Sequence, residues 1–340
     1  MRVLVTGGCG FIGSNFVRHL LETYPDYEIV NLDALTYAGN LANLQDVADS
    51  PRYTFVHGRI EDTQTVENIV SQGVDAIVNF AAESHVDRSI LDASAFLTTN
   101  VMGTQNLLDT ARRHKIGRFL QVSTDEVYGE LGPEGYFTET TPLAPRSPYS
   151  ASKTAADHLV LAAFSTFGLP VLITRCCNNY GPWHFPEKLI PLMILNAMRD
   201  KPLPVYGNGR NVRDWIYVLD HCRAIDRVLH AGRVGEVYNV GSRCERENIE
   251  VVREILAILG KPESLIAYVE DRLGHDKRYA IDPHKIETEL GWKPIFQFPE
   301  ALRSTVRWYQ EHTAWWQEIL SGEYQSYYET LYGNRKSAQA

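Results

Sequence analysis

Apolar residues in the first half of the chain fall in short, nearly continuous runs separated by longer stretches with a three-to-four-residue rhythm. The runs at residues 3–6, 29–33, 53–57, 76–80, 118–123 and 171–175 lack a polar alternation, as expected of parallel strands buried on both faces. Between them lie helical patterns such as 100–113 and 150–167. This alternation predicts an α/β fold built on a doubly wound parallel sheet. After residue 176 the rhythm breaks, and Pro182, Pro186, Pro191, Pro202 and Pro204 punctuate shorter mixed segments. The pattern divides the chain into a first domain over residues 1–175 and a smaller mixed α/β domain over 176–330. Residues 213–230 return to the first domain through a strand at 215–218 and a helix at 220–229. The polar stretch 331–340 reads as a flexible tail.

The first run leads directly into Gly7, Gly10 and Gly13, and the helical pattern Phe16, Val17, Leu20, Leu21 begins at once. One glycine permits a tight turn, one lets the backbone approach a pyrophosphate, and one lets the helix pack closely on the sheet. The free N–H groups of the new helix then face the phosphates. The second run ends in Asp33, twenty residues after Gly13, where a carboxylate accepts hydrogen bonds from the adenosine ribose. Its charge disfavours a 2′-phosphate. The predicted fold is therefore Rossmann-type, and its cofactor is NAD.

Composition narrows the class further. A chain of 340 residues can bury a large core, and 22% charged residues is ordinary for a globular protein. The net charge of −9 gives no general attraction to nucleic acid or anionic membranes. No apolar run approaches the roughly 20 residues that span a bilayer. The five cysteines, Cys9, Cys176, Cys177, Cys222 and Cys244, show neither metal spacing nor an even count, so no metal is expected and a reducing cytoplasm fits best.

Candidate chemistry gathers around one strand end. Tyr149 and Lys153 are four residues apart at the start of the 150–167 helix, which stacks them on one face. A free tyrosine ionises near pH ~10. A neighbouring ammonium favours the phenolate, so the pair predicts a tyrosine base with a lowered pKa. Thr124 stands at the carboxyl end of the fifth predicted strand, where open α/β sheets bind ligands. Its hydroxyl can bond the same substrate oxygen that Tyr149 deprotonates. Asp125 and Glu126 follow at once. Alone, such an acid pair is a common solvated turn. At a sheet's ligand edge, burial and repulsion can drive the two carboxyls to different pKa values.

Thr6-Gly7-Gly8-x-Gly10-Phe11-Ile12-Gly13, Asp33, Thr124 and Tyr149-x-x-x-Lys153 together resemble the extended short-chain dehydrogenase/reductase family of NAD-dependent epimerases and dehydratases. The resemblance covers essentially the whole chain. Within it, Ser123-Thr124-Asp125-Glu126-Val127-Tyr128-Gly129 is the discriminating stretch. Sugar-nucleotide epimerases carry small or non-acidic residues after the hydroxyl, whereas the acid pair here is similar to the 4,6-dehydratases. The resemblance implies a lyase that oxidises C4 of dTDP-glucose, eliminates water across C5–C6 and returns the hydride to C6, with NAD tightly bound and regenerated each turnover. It makes Asp125 the acid for the departing C6 hydroxyl and Glu126 the base at C5, beside Thr124, Tyr149 and Lys153.

The same resemblance carries cofactor contacts to Gly7, Gly10, Phe11, Ile12 and Gly13, and to Asp33, Leu35 and Thr36. Further ones fall on Arg59, Ile60, Ala81, Ala82, Ser84, Thr99 and Asn179, with Tyr149 and Lys153. Substrate contacts fall on His85, Thr124 and Asn178, on Glu187, Lys188 and Leu189, and on Pro204 and Tyr206. Arg213, Asn248, Arg272 and His275 complete the set, since arginine grips phosphate oxygens with two donors. One departure concerns adenine. Family members usually have Gly-Asp-Ile where this chain has Gly58-Arg59-Ile60. Arg59 can stack on the ring but cannot accept from its amino group, and Asp62 is the nearby substitute.

Both long helical patterns carry apolar stripes: Val101, Leu107, Leu108 and Ala111 on one, Leu159, Ala162, Ala163 and Phe167 on the other. In the family such helices pair into a four-helix homodimer interface. A UDP-sugar dehydratase or 4-epimerase remains open as the alternative enzyme. A nucleotide-sensing module without catalysis remains open as well, although the full Thr124, Tyr149 and Lys153 set argues against it.

Overall fold

The computed structural model describes residues 1–271 and 273–321. Twelve strands follow in chain order: β1 Arg2–Thr6, β2 Glu28–Asp33, β3 Tyr53–His57, β4 Ala76–Asn79, β5 Arg118–Thr124, β6 Val171–Cys176, β7 Asn178–Tyr180, β8 Leu203–Tyr206, β9 Val212–Tyr217, β10 Val237–Val240, β11 Glu245–Glu247 and β12 Ile266–Val269. Seven of them make one parallel sheet in the order β10-β6-β5-β4-β1-β2-β3. The order reverses at β1, and that switch point opens a crevice at the carboxyl ends of the strands.

Burial on both faces explains the unbroken apolar runs. Val3 and Val5 point into one core with Phe16 and Leu20 of the Phe11–Thr23 helix and Cys222 and Ile225 of the Val218–Ala231 helix. Leu4 points the other way, into a core with Leu107 and Leu108 of the Thr104–Arg113 helix and Val160 of the Pro148–Phe167 helix. Each such side chain contributes about 1.5–3 kcal/mol by leaving water. A third core joins the Leu189–Met198, Asn248–Leu259 and Phe298–Glu311 helices through Ile194, Val251, Leu302 and Val306.

The segment expected to return to the first domain does so differently. β9 lies in a separate three-stranded sheet between β11 and β7. It is the Val218–Ala231 helix and then β10 that rejoin the large sheet, with Val237 opposite Ile173 of β6. The predicted 100–113 helix also has a distinct beginning. Residues Leu97–Gly103 form a π-helical stretch before the α-helix starts at Thr104, so Thr99 lies within a widened turn.

The apolar stripes mostly serve the chain's own core. Leu107, Leu108, Ala111 and Ala163 are buried against the large sheet, and Phe167 lies under the Arg112 guanidinium at 4.6 Å. The surface they leave is flanked instead by Leu91, Leu97 and Met102, which are 66%, 53% and 64% exposed. Among the described residues no helix is long and apolar enough to cross a membrane.

Candidate active site

The crevice is a cavity of about 340 Å³ at the carboxyl edge of the large sheet. Its floor is the turn between β1 and the Phe11–Thr23 helix. Gly7 takes a left-handed φ of +70°, and a Cβ there would stand 2.7 Å from the Ala81 nitrogen. A Cβ at Gly13 would stand 2.3 Å from the Gly7 carbonyl oxygen. Gly10, the N-cap, offers no side chain to the first-turn N–H groups, which are left to the cavity that Gly10, Phe11, Ile12 and Gly13 line. At the end of β2, Asp33 accepts from the Cys9 and Leu35 nitrogens, each at 2.8 Å. Burial nonetheless raises its carboxyl above the usual range. A glycine-lined helix start and a carboxylate twenty residues on are the donor and acceptor sets that a dinucleotide needs, so the residues present fit NAD.

Thr36, Arg59, Ile60, Ala81, Ala82, Ser84, Thr99 and Asn179 line the same cavity. Leu35 does not: its φ is +48°, and its side chain packs on the core while its N–H holds Asp33. Asp62 also lies outside the cavity lining. It caps the Thr63–Val70 helix, accepting from the Gln64 and Thr65 nitrogens and the Thr65 hydroxyl, and these bonds hold its carboxyl below the usual range. Arg59 reaches Glu61 at 3.4 Å at the cavity wall.

Thr124, Asp125, Glu126, Tyr149 and Lys153 meet at the other end. β5 delivers Thr124, whose hydroxyl accepts from the Glu126 nitrogen at 3.2 Å and so starts the short 3₁₀ turn Asp125–Tyr128. That turn is anchored from behind. Arg175 of β6 donates to Asp157 at 2.9 Å and to the Tyr128 hydroxyl at 3.1 Å, and Tyr128 donates to Asn239 of β10 at 2.7 Å. The capping box of Ser147 and Ser150 starts the Pro148–Phe167 helix and fixes Tyr149 in its first turn.

Burial drives the Asp125 carboxyl well above the usual range, and the Glu126 charge adds to it, while the Arg213 charge opposes. Its Oδ2 is buried without a partner among the protein's own groups. A lowered Tyr149 is not what these surroundings produce. Burial, then the charges of Glu126 and Cys176, push the phenol well above its ordinary value, with the Thr124 hydroxyl the group that favours ionisation. Lys153 is itself buried, its ammonium is lowered by that burial, and it donates to the Val122 carbonyl at 2.8 Å.

The residues matched to substrate fall in two groups. Asn178, Glu187, Lys188 and Leu189 line the cavity with Thr124. The others gather outside its lining. Tyr206 donates to Asp87 at 3.2 Å and meets the ring of His275 edge-on at 6.0 Å, and His275 contacts Asp271 at 2.6 Å. Asn248 has a buried Oδ1 without a protein partner, and buried Pro204 lies on β8 opposite Ala267. Arg213 lies over the Tyr279 ring at 4.3 Å and donates to the Asp276 carbonyl at 2.9 Å. His85 is buried at the start of the Val86–Leu91 helix. Arg272 and residues 331–340 lie outside the described residues.

Other residues in and around the cavity carried no local signal. Arg88 donates to Glu187 at 3.2 Å and lies over the Tyr37 ring at 3.9 Å, which ties the loop after β2 to the segment bearing Lys188. Burial pushes Glu187 up to about 7 against the lowering charges of Lys188 and Arg88. Asn100 joins Glu83 to the helix of Tyr149 by bonds to the Glu83 backbone and to Ser152. Cys176, with its thiol pushed up to about 12 chiefly by burial, and His184 also line the cavity.

A dinucleotide crevice with a Tyr-x-x-x-Lys helix and a threonine at the strand end defines an extended short-chain dehydrogenase/reductase. The chain belongs to the 4,6-dehydratase family of that class: residues 4–305 match the family model described as GDP-mannose 4,6 dehydratase. A protein of Neisseria meningitidis named dTDP-glucose 4,6-dehydratase is 52% identical over 345 residues, covering 95% of this chain and 97% of that one. The crystal structure of the Streptomyces venezuelae dTDP-glucose 4,6-dehydratase DesIV, with NAD and TYD bound, superposes with a TM-score of 0.92 at 53% identity, covering 94% of this chain and 100% of that one. A Thermotoga maritima UDP-glucose 4-epimerase with UDP-glucose gives a TM-score of 0.86 at 27% identity, covering 92% of this chain and 100% of that one.

Proposed function

We propose that this chain is a dTDP-glucose 4,6-dehydratase yielding dTDP-4-keto-6-deoxyglucose. The observation that carries the reading is the Asp125-Glu126 pair placed directly after Thr124 in the cavity that Tyr149 and Lys153 also line. Epimerisation at C4 has no use for a second acid and base, whereas expelling the C6 hydroxyl requires both.

The NAD contacts lie within 1–175, apart from Asn179, and the sugar nucleotide reaches across to residues of 176–330. Gly10–Gly13 backbone groups would hold the pyrophosphate, Asp33 the adenosine ribose, and Lys153 and Asn179 the nicotinamide half. When bound, NAD supplies the hydride acceptor at C4, the hydride donor at C6 and, in oxidised form, the positive charge that a buried phenolate needs. Tyr149 Oη takes the proton of the C4 hydroxyl, which Thr124 orients. Glu126 removes the C5 proton, now acidified by the neighbouring ketone. Asp125, kept protonated by burial and by Glu126, gives its proton to the departing C6 oxygen, which leaves as water. Glu126 then returns the proton to C5. Arg213, Tyr206, Asn248 and His275 form the nucleoside diphosphate end.

Two further assignments belong to this reading. The chain works as a homodimer through the helical face flanked by Leu91, Leu97 and Met102, and it works in the cytoplasm, where its five unpaired thiols remain reduced. Incubation with dTDP-glucose and UDP-glucose separately, followed by mass analysis, tests the reaction. Loss of one water from dTDP-glucose without added NAD supports it. Conversion to an isomer of unchanged mass points to an epimerase, and inertness toward both sugars defeats the dehydratase.

A further inference from the structure

We propose that residues 182–185 form a strap across the start of the Phe11–Thr23 helix, and that His184 is a positioning residue that keeps the dinucleotide in the cleft between the two hydride transfers. The need follows from the dehydratase reading, on which the inference rests. A hydride taken from C4 must go back to C6 of the same sugar, so a reduced cofactor that leaves in between ends the turnover.

The imidazole of His184 stacks on the Phe11 ring, with centroids 4.1 Å apart and planes 12° from parallel. Phe11 is the first residue of the helix whose N–H groups face the cavity, and both rings line that cavity. The Nδ1 of His184 is buried with no partner among the protein's own groups, a costly arrangement unless something else occupies it. Burial, then the charge of Lys188, hold the imidazole well below its usual range. The ring is therefore neutral and presents one donor and one acceptor.

The strap is pinned on both sides. Asn15 Nδ2 donates to the carbonyl of Pro182 at 3.1 Å and to that of Phe11 at 2.9 Å, which stitches the strap to the helix. On the outer side the Tyr309 hydroxyl donates to the carbonyl of His184. Trp183 holds a left-handed φ of +67°, rare for a bulky residue and maintained only where the surroundings dictate it. Those surroundings are Trp308 and Trp315, edge-on at 4.7 and 5.6 Å, and the Arg18 guanidinium at 4.9 Å. Trp315 goes further: its Nε1 donates to Asn43 Oδ1 at 2.8 Å, and Asn43 Nδ2 donates to the Cys9 carbonyl in the glycine turn at 2.8 Å. The same C-terminal helices thus hold the strap above the cofactor site and the turn beneath it.

The holoprotein as purified tests this by two readouts: NAD per chain after gel filtration, and the rate at which bound NAD exchanges with labelled NAD. His184→Ala is expected to speed exchange roughly tenfold or more, about 1.4 kcal/mol. His184→Phe keeps the stack but not the nitrogen and is expected to fall between. Tyr309→Phe, which removes a bond to the strap and touches no ligand, is expected to speed exchange by a smaller factor and to release free NADH during turnover. Circular dichroism identifies variants that fold. Exchange unchanged in both folded His184→Ala and Tyr309→Phe overturns the strap. An unaltered chain that takes up no NAD overturns the strap together with the cofactor reading. Slow exchange that these variants accelerate, in a chain inert toward dTDP-glucose, supports the strap and sinks the substrate assignment alone.

Discussion

At the residue scale, the proposed mechanism divides the work between the two carboxyls and the phenol by their surroundings. On the proposed mechanism Tyr149→Phe removes the proton acceptor at O4 but no part of the fold, and kcat is expected to fall 10²–10⁴-fold with NAD still bound, measured by turnover and by cofactor content. Asp125 must be protonated to serve as an acid. Its raised pKa places the loss of activity on the alkaline side, as pH rises through that value, and Asp125→Asn removes the limb along with most of the elimination. The assay is a pH–rate profile alongside trapping of the 4-keto hexose before water loss. Much of this grouping in one cavity was legible in the sequence, because Thr124, Asp125 and Glu126 are adjacent, and Tyr149 and Lys153 are one helical turn apart. His184, Tyr37 and Arg88 were not. They come from two loops and the short Val86–Leu91 helix, and only the fold puts Arg88 over Tyr37 and His184 against Phe11.

At the element scale, the strands of the large sheet were the most readable, because burial on both faces leaves them almost purely apolar. β10 was missed: Val237–Val240 is four residues long, and its partner β6 is some sixty residues earlier. The π-helical stretch Leu97–Gly103 was missed too, since its composition is that of an ordinary helix. Glycine spacing was informative because the turn is so crowded. Gly13→Ala drives a methyl into the Gly7 carbonyl, and overpacking of this kind costs about 1–3 kcal/mol. We expect a lower unfolding temperature in thermal melts and loss of bound NAD; a melt and cofactor content like those of the unaltered chain contradict the assigned role.

For the whole molecule, two surfaces make testable claims. The Phe11–Thr23 and Val218–Ala231 helices are joined by Asp226, which contacts His19 at 2.9 Å, Tyr24 at 2.9 Å and His230 at 2.8 Å. Although burial opposes it, these bonds hold the Asp226 carboxyl far below the usual range, and the same pairing raises His230. A depressed carboxyl contributes stability that is lost as pH falls through its folded value. A raised histidine contributes stability that is lost as pH rises through its own. The cluster therefore supports the fold most in mildly acidic solution. Asp226→Asn is expected to cost about 1–3 kcal/mol in urea unfolding near pH 6 and less near pH 9. On the opposite side, Leu97→Asp with Met102→Glu is expected to convert the proposed homodimer into monomers in sedimentation; an unchanged mass assigns the contact elsewhere.

β6 and β7 are separated by Cys177 alone, so one nearly continuous rod crosses from the large sheet into the three-stranded one. Such a joint leaves no slack for a hinge. On the proposed reading, cofactor and sugar would be set against one another as in a jig rather than a jaw, and hydride fidelity would depend on fixed spacing instead of on the timing of a closing motion.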